Sequence, residues 1–231
     1  MRMVWTGGVV FLGIIPASML VGSTQLTAIR GNPAITLVAP AIVLFVGLPI
    51  ALNQFGWERN AASFLFALPI TARQLILGKN LAAASALAIE AVLLSLLFAA
   101  VSGGWTMLGY APFLISTAIL CQLAVGNLVS VLTPMRLPPM GTDLFAQATE
   151  QGCLALISQM TAFGLIGLLM VPPAAGFALL TAFGVNDLRF RIGFSLGSVI
   201  WGVGLYMIGL WLGTRLLERR LPEMVTAVQT V

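Results

Sequence analysis

Histidine is absent from the 231 residues of this chain, and cysteine occurs only twice. Without imidazole, most zinc-ligand sets and most catalytic triads are unavailable. Cys121 and Cys153 lie in or beside apolar runs, where a thiol behaves as a small hydrophobe rather than as a disulfide partner or metal ligand. Charge is scarce as well: Asp, Glu, Lys and Arg make up 8% of the residues, against 59% hydrophobic, and no soluble globule has interior enough to hide that much apolar surface. The net charge of +4 comes without a dense basic tract or interleaved aromatics, so nucleic acid is not expected as a partner.

What the chain has instead is long apolar runs. Stretches of about 18 or more nearly uncharged residues recur, each able to cross a hydrocarbon core of about 30 Å as a helix. In lipid only a helix satisfies every backbone group within such a run, so the expected fold is all-α, a polytopic transmembrane helical bundle forming a single domain over residues 1–231. Six spans are expected, at about 4–21, 34–52, 81–101, 108–132, 153–171 and 194–214. The N-terminal MRMVWTGGVVFLGIIPASML has the charge, apolar stretch and small residues of a cleavable signal, but its apolar part continues past Pro16, which favours a retained first span. Pro172 and Pro173 interrupt the apolar signal, and the dozen or so residues that follow are too few to cross, so a short re-entrant half-helix is expected over about 172–185. The polar loop TPMRLPPMGTDLFAQATEQ is expected to lie outside continuous helix because of its prolines and Gly141.

Placing both termini and the loops after spans two and four in the cytoplasm puts Arg2, Arg59, Arg73, Lys79, Arg136, Arg215, Arg219 and Arg220 inside, and leaves Arg30, Arg189 and Arg191 outside. That bias sets the expected orientation.

The most informative segment is residues 53–80, which holds NQFGWERN and LPITARQLILGKN. Its LGKN is not part of a nucleotide-binding loop. The spacing GxxxxGK[ST] needs glycine at 73 and Ser or Thr at 80, where this chain has Arg73 and Asn80. Thr71-Ala72-Arg73-Gln74 fits a capping box, and Pro69 disfavours helix at Leu68, so one helix is expected to end near Leu68 and another to begin after Thr71. The first, over about 57–68, would lie along the membrane surface. Arg73 and Lys79 would then stand at headgroup level with their stems snorkelling toward phosphates.

NQFGWERNAASFLFALPITARQLILGKNLA resembles the cytoplasmic segment between the second and third spans of ABC-2-type transporter permeases. There a pattern of Phe-Gly, an acidic–basic pair, Leu-Pro, Ser or Thr with Arg, and Leu-Gly-Lys-Asn-Leu-Ala recurs. The detailed likeness covers about thirty residues. It implies a membrane permease subunit, not itself an enzyme, of an ATP-driven exporter in the plasma (inner) membrane. It further implies an ABC ATPase subunit as partner, which would bind ATP and Mg, and a second permease subunit, the same or different. By that resemblance Glu58 and Arg59 take the position that docks on the ATPase. Phe55 and Gly56 form the entry, and Pro69, Thr71, Arg73, Gly78 and Lys79 the exit into the third span. Two departures stand out: the chain starts almost directly in its first span, without the amphipathic N-terminal helix common in the family, and many relatives are longer. A half-size subunit and one piece of a longer permease both remain open.

Glu90 falls near the middle of the third span, where a charge is costly on the order of 3 kcal/mol, so it is protonated, paired or faces a water-filled cavity. A transport path or proton relay is one reading, an interhelical hydrogen bond the other. A relay would make the chain a secondary, proton- or ion-coupled transporter. Ala118, Gln122, Gly126 and Ser130 recur at four-residue spacing with Asn127 nearby, a small polar stripe suited to helix packing or to a transport path, and Gln159 in the fifth span is similar. Gly193 with Gly197, and Gly209 with Gly213, have the spacing that lets helix backbones approach, within the chain or across a dimer seam. No metal site is expected. A membrane-embedded hydrolase is weakly supported, because no paired intramembrane carboxylates accompany the missing histidine.

Overall fold

The computed structural model describes residues 42, 47–56, 69–134, 144–184 and 187–229. Within them a short helix α1 (Leu48–Leu52) precedes four long helices, α2 (Ala72–Ser102), α3 (Ala111–Leu132), α4 (Leu144–Ala182) and α5 (Leu188–Gln229). A 3₁₀ turn at Trp105–Gly109 joins α2 to α3, and no strand occurs among the described residues. Four stretches are long and apolar enough to cross a membrane: Ala72–Ser102, Ala111–Leu132, Ile157–Leu180 and Arg189–Arg220. The expected first span lies outside the described residues, as does most of the second, whose end at Leu52 is the end of α1.

Local chemistry sets the ends of α2. The Thr71 hydroxyl accepts from the Gln74 backbone N–H at 3.2 Å, and the Gln74 side-chain oxygen accepts from the Thr71 N–H at 2.9 Å. That is the capping box the sequence predicts, and it satisfies two donors that the first helical turn leaves unpaired. At the other end Gly103 takes φ 73°, a left-handed conformation that glycine adopts without strain, and closes the helix.

α3 is the centre of the bundle: 78% of its spanning window is buried, against 22–28% for the other three. Its small residues explain why. Gly126 lies directly on the Ala51 carbonyl of α1, Ala118 and Cys121 pack with Met170 of α4, and α5 approaches Ala124 and Asn127 through Gly209 and Gly213. The stripe read from the sequence is therefore a packing surface, with Ala118, Gln122 and Ser130 all 0% exposed. Of the two glycine pairs on α5, Gly209 and Gly213 make close contacts within the chain, whereas Gly193 and Gly197 have open space around them.

Neighbour pairs along the helices give their directions. Thr117 meets Ser198 and Asn127 meets Gly213, so α3 and α5 run parallel. Thr133 bonds Ser158 while Tyr110 contacts the Phe177 ring, so α3 and α4 run antiparallel. The start of α2, the end of α3 and the 210–217 stretch of α5 share one apolar cluster through Ile76, Val131 and Leu217. Arg73, Arg215, Arg219 and Arg220 thus gather at one end of the bundle, and Arg189 and Arg191 at the other. The outer faces stay apolar and open, as at Leu81 (74% exposed) and Ile200 (71%), surfaces that need lipid to cover them.

At Pro172 and Pro173 the chain departs from expectation. The half-helix expected after them is instead the last part of α4, which runs unbroken from Leu144 to Ala182 with both prolines inside. A proline at 173 has no N–H for the Leu169 carbonyl four residues back. The Trp201 indole of α5 supplies the missing donor, bonding Leu169 O at 3.1 Å. In hydrocarbon an unpaired carbonyl has no water to turn to, and a neighbouring helix that replaces the lost bond lets the helix continue. Trp201→Phe is expected to destabilise the bundle by about 1–3 kcal/mol, the cost of an acceptor orphaned at a lipid-facing surface with no water to replace its donor. In a Pro173→Ala background, where position 173 regains a backbone N–H for Leu169 O, the same change should cost almost nothing. Thermal midpoints of the four proteins in one detergent measure this coupling.

Two other boundaries are longer than the hydropathy indicates. α4 begins at Leu144, inside the expected polar loop, and α5 extends from 188 to 229 rather than over 194–214. FAQATEQ and RLLERRL consist mainly of good helix formers. Low hydropathy there marks where a helix leaves the apolar layer, not where it ends.

Candidate functional site

The described part of segment 53–80 converges at the basic end of the bundle. α1 stops at Leu52, and the chain turns through Asn53 to Gly56. Apolar Phe55 leaves the turn inward: it is 2% exposed and packs with Leu75 and Ile76 of α2, Val131 of α3, and Leu210 and Leu217 of α5. Gly56 beside it is buried. The segment's entry is therefore plugged into the contact of three helices.

The exit is tied to the same place. The Lys79 ammonium donates to the Gln54 carbonyl at 3.0 Å and stands 5.2 Å from the centre of the Phe55 ring. This corrects the expectation of a stem reaching out to phosphates. Lys79 lies within reach of an unsatisfied carbonyl just past the end of α1, and that acceptor together with an aromatic face holds the cation. Next along α2, Asn80 is 2% exposed; its side-chain oxygen accepts from Gln54 Nε2 at 2.9 Å, and its Nδ2 donates to the Tyr206 hydroxyl of α5 at 3.1 Å. A chain of polar groups thus links Gln54, Asn80 and Tyr206 across the turn after α1, α2 and α5. Asn80 is eight residues into α2, about 12 Å along its axis at 1.5 Å per residue. At that depth each such bond replaces water that is not there.

The remaining exit residues face outward. Pro69, Thr71, Arg73 and Gly78 are exposed, Thr71 as the helix cap and Gly78 with open space around it. Glu58 and Arg59, with the expected surface helix over 57–68, lie outside the described residues.

The four residues proposed for a transport path do not share one position. Glu90 is ten residues, about 15 Å, beyond Asn80 on α2; it is half-buried, and its enclosed Oε1 has no hydrogen-bond partner among the described residues. Gln122 and Asn127 are buried on α3 at 0% and 1% exposure, and Gln159 is half-buried on α4. Asn127 packs its Cβ against Gly213, and neither of its amide atoms has a partner among the described residues. At the far end, Asp187 caps α5 by accepting the Arg189 backbone N–H at 2.9 Å.

Sequence reasoning missed Gln54, Asn80 and Tyr206 as a unit. Gln54 and Asn80 sit inside NQFG and LGKN and were legible as membrane-level polar residues. Tyr206 lies 126 positions from Asn80 in an apolar span and gave no signal of its own. No protein-family model, curated protein or solved structure matches the chain.

Proposed function

We propose that this chain is the membrane-spanning subunit of an ATP-driven exporter of the ABC-2 permease kind, paired with a second permease subunit and driven by a separate ATPase chain. The observation that carries the reading is the junction of Phe55, Gln54, Lys79, Asn80 and Tyr206. The turn that enters the 57–68 segment is fastened at this buried point to α2, the helix that follows the segment, so a push on the segment would pass to α2 and, through Tyr206, to α5. A segment tied in this way is suited to receive motion from a docked partner, whereas a loop with loose ends would absorb it. The basic end of the bundle then faces the cytoplasm of an inner membrane, following the distribution of Arg73, Arg215, Arg219 and Arg220. ATP binding would draw the partner ATPases together and shift the helices between two openings.

Gentle detergent purification from native membranes tests this: co-purification of an ATPase with a true GxxxxGK[ST] loop is expected. Replacing Glu58 and Arg59 together by alanine should remove stimulation of that ATPase and leave insertion of the chain intact. Undiminished stimulation would remove the docking role.

A second reading, a proton-coupled secondary transporter, is favoured by one observation, the enclosed Oε1 of Glu90, which has no hydrogen-bond partner among the described residues. It requires transport in nucleotide-free vesicles that collapses with the proton gradient and with Glu90→Gln.

A further inference from the structure

α5 passes from the apolar layer into its basic end along an exposed line of residues. Ile208 is 57% exposed and Trp211 53%, and Arg215 and Arg219, also exposed, follow Trp211 at successive four-residue steps, which places them one above another on one helix face. The Arg215 guanidinium lies 4.1 Å from the centre of the Trp211 ring. This cation–π contact holds the group against the indole and leaves its N–H groups available to a ligand. Among the described side chains Arg215 and Arg219 have no hydrogen bond or ion pair; of the acids within about one turn, Glu218 is exposed and pairs with neither, and Glu223 follows Arg219 by four residues. Arg220 differs: it is half-buried and donates to the Leu132 carbonyl at the end of α3.

We propose that Trp211, Arg215 and Arg219 form a binding site for the phosphate of an anionic phospholipid in the leaflet at the basic end of the bundle. The order of groups along the face matches the order within such a lipid: apolar contacts at Ile208 for the acyl chains, an indole at the glycerol level, then two guanidinium groups for the phosphate. A planar guanidinium binds phosphate oxygens in pairs, and its contact with Trp211 restrains its position on the helix face. Over residues 215–223 three arginines outnumber two glutamates, which selects a lipid with net negative charge over a zwitterionic one, whose ammonium the arginines repel. The continuous apolar face below them selects a lipid over a soluble phosphate. This site does not depend on the transporter reading.

Native mass spectrometry of the intact chain in detergent, titrated with phosphatidylglycerol and with phosphatidylcholine of the same acyl chains, tests it. Phosphatidylglycerol should bind more tightly, and Arg215→Gln with Arg219→Gln should weaken it about thirtyfold. Phosphatidylcholine binding should not change. Trp211→Leu should give a smaller loss by freeing the Arg215 side chain, and Arg189→Gln, at the opposite end, none. Millimolar glycerol phosphate should not displace the lipid. Equal binding of the two lipids, retention of phosphatidylglycerol affinity within about twofold in the double variant, or full displacement by glycerol phosphate would each overturn the site.

Discussion

Gly209→Ala is expected to destabilise the bundle by about 1–3 kcal/mol, although alanine is the better helix former. Two effects compete. Ala in place of Gly in a helix interior contributes about 0.8–1.0 kcal/mol through propensity. Against this, a Cβ on Gly209 would lie 2.5 Å from Ala124 O and 2.6 Å from Ala124 Cα, closer than side-chain atoms ever approach backbone. Backbone atoms of a central helix cannot swing aside as a flexible side chain would, so α5 must move away from α3 along its length and the clash wins. Gly126→Ala should behave alike, because its Cβ would fall on the Ala51 carbonyl. Gly193→Ala and Gly197→Ala meet no atom within 4 Å and keep only the propensity term, so they should be neutral or mildly stabilising. Comparing the temperatures at which half of each variant remains monodisperse in one detergent gives both signs at once. A Gly209→Ala protein as stable as its parent would mean that the α3–α5 contact is looser than described.

Asn80→Leu should be about as damaging. Leucine shares the branched heavy-atom outline of asparagine, with bulkier methyl groups, so no cavity is left, but Gln54 Nε2 loses its acceptor and the Tyr206 hydroxyl its donor. Interhelical hydrogen bonds in membranes are worth about 0.6 kcal/mol on average. Leaving a buried polar group unpaired costs about 1–3 kcal/mol. The orphan term dominates here because Gln54 is 7% exposed and lies away from water. Tyr206→Phe removes one oxygen and strands only one Asn80 N–H, so it should cost less than half as much. The expected order of thermal stability is parent, Tyr206→Phe, Asn80→Leu, and a Tyr206→Phe protein weaker than Asn80→Leu would place the strength of the junction elsewhere. On the transporter reading, Asn80→Leu should also weaken stimulation of the partner ATPase by transport.

Stability and proposed function meet at the same residues. α3 and α5 touch backbone to backbone at Ala124 and Gly209, so they form one body, and Tyr206 is a polar point at which α2 is joined to it, beside the apolar cluster of Ile76, Val131 and Leu217. A displacement entering at Lys79 and Asn80 therefore reaches the centre of the bundle without passing through a flexible link. Trp201 does the corresponding work for α4, replacing the hydrogen bond that Pro173 removes.

Composition alone determined that this is a helical membrane chain, because more than half of its side chains are hydrophobic and no water-soluble fold can bury them. Local chemistry determined the start of α2 at Thr71, since a capping box needs only groups three residues apart. The small-residue stripe of α3 left helix packing and a transport path both open, and the packed neighbours decided for the first. Tertiary structure alone decided the rest: that α3 is the buried centre, that Phe55 plugs inward, that Lys79 turns back to Gln54, that Asn80 finds Tyr206, and that Trp201 carries α4 across Pro173. The reason is physical. In a membrane the protein-facing and lipid-facing sides of a helix are both apolar, so periodicity does not show which side turns inward, and hydropathy measures where a helix meets lipid rather than where its hydrogen bonds stop. Partners more than a hundred residues apart are chosen by packing, and only the packed chain reveals them.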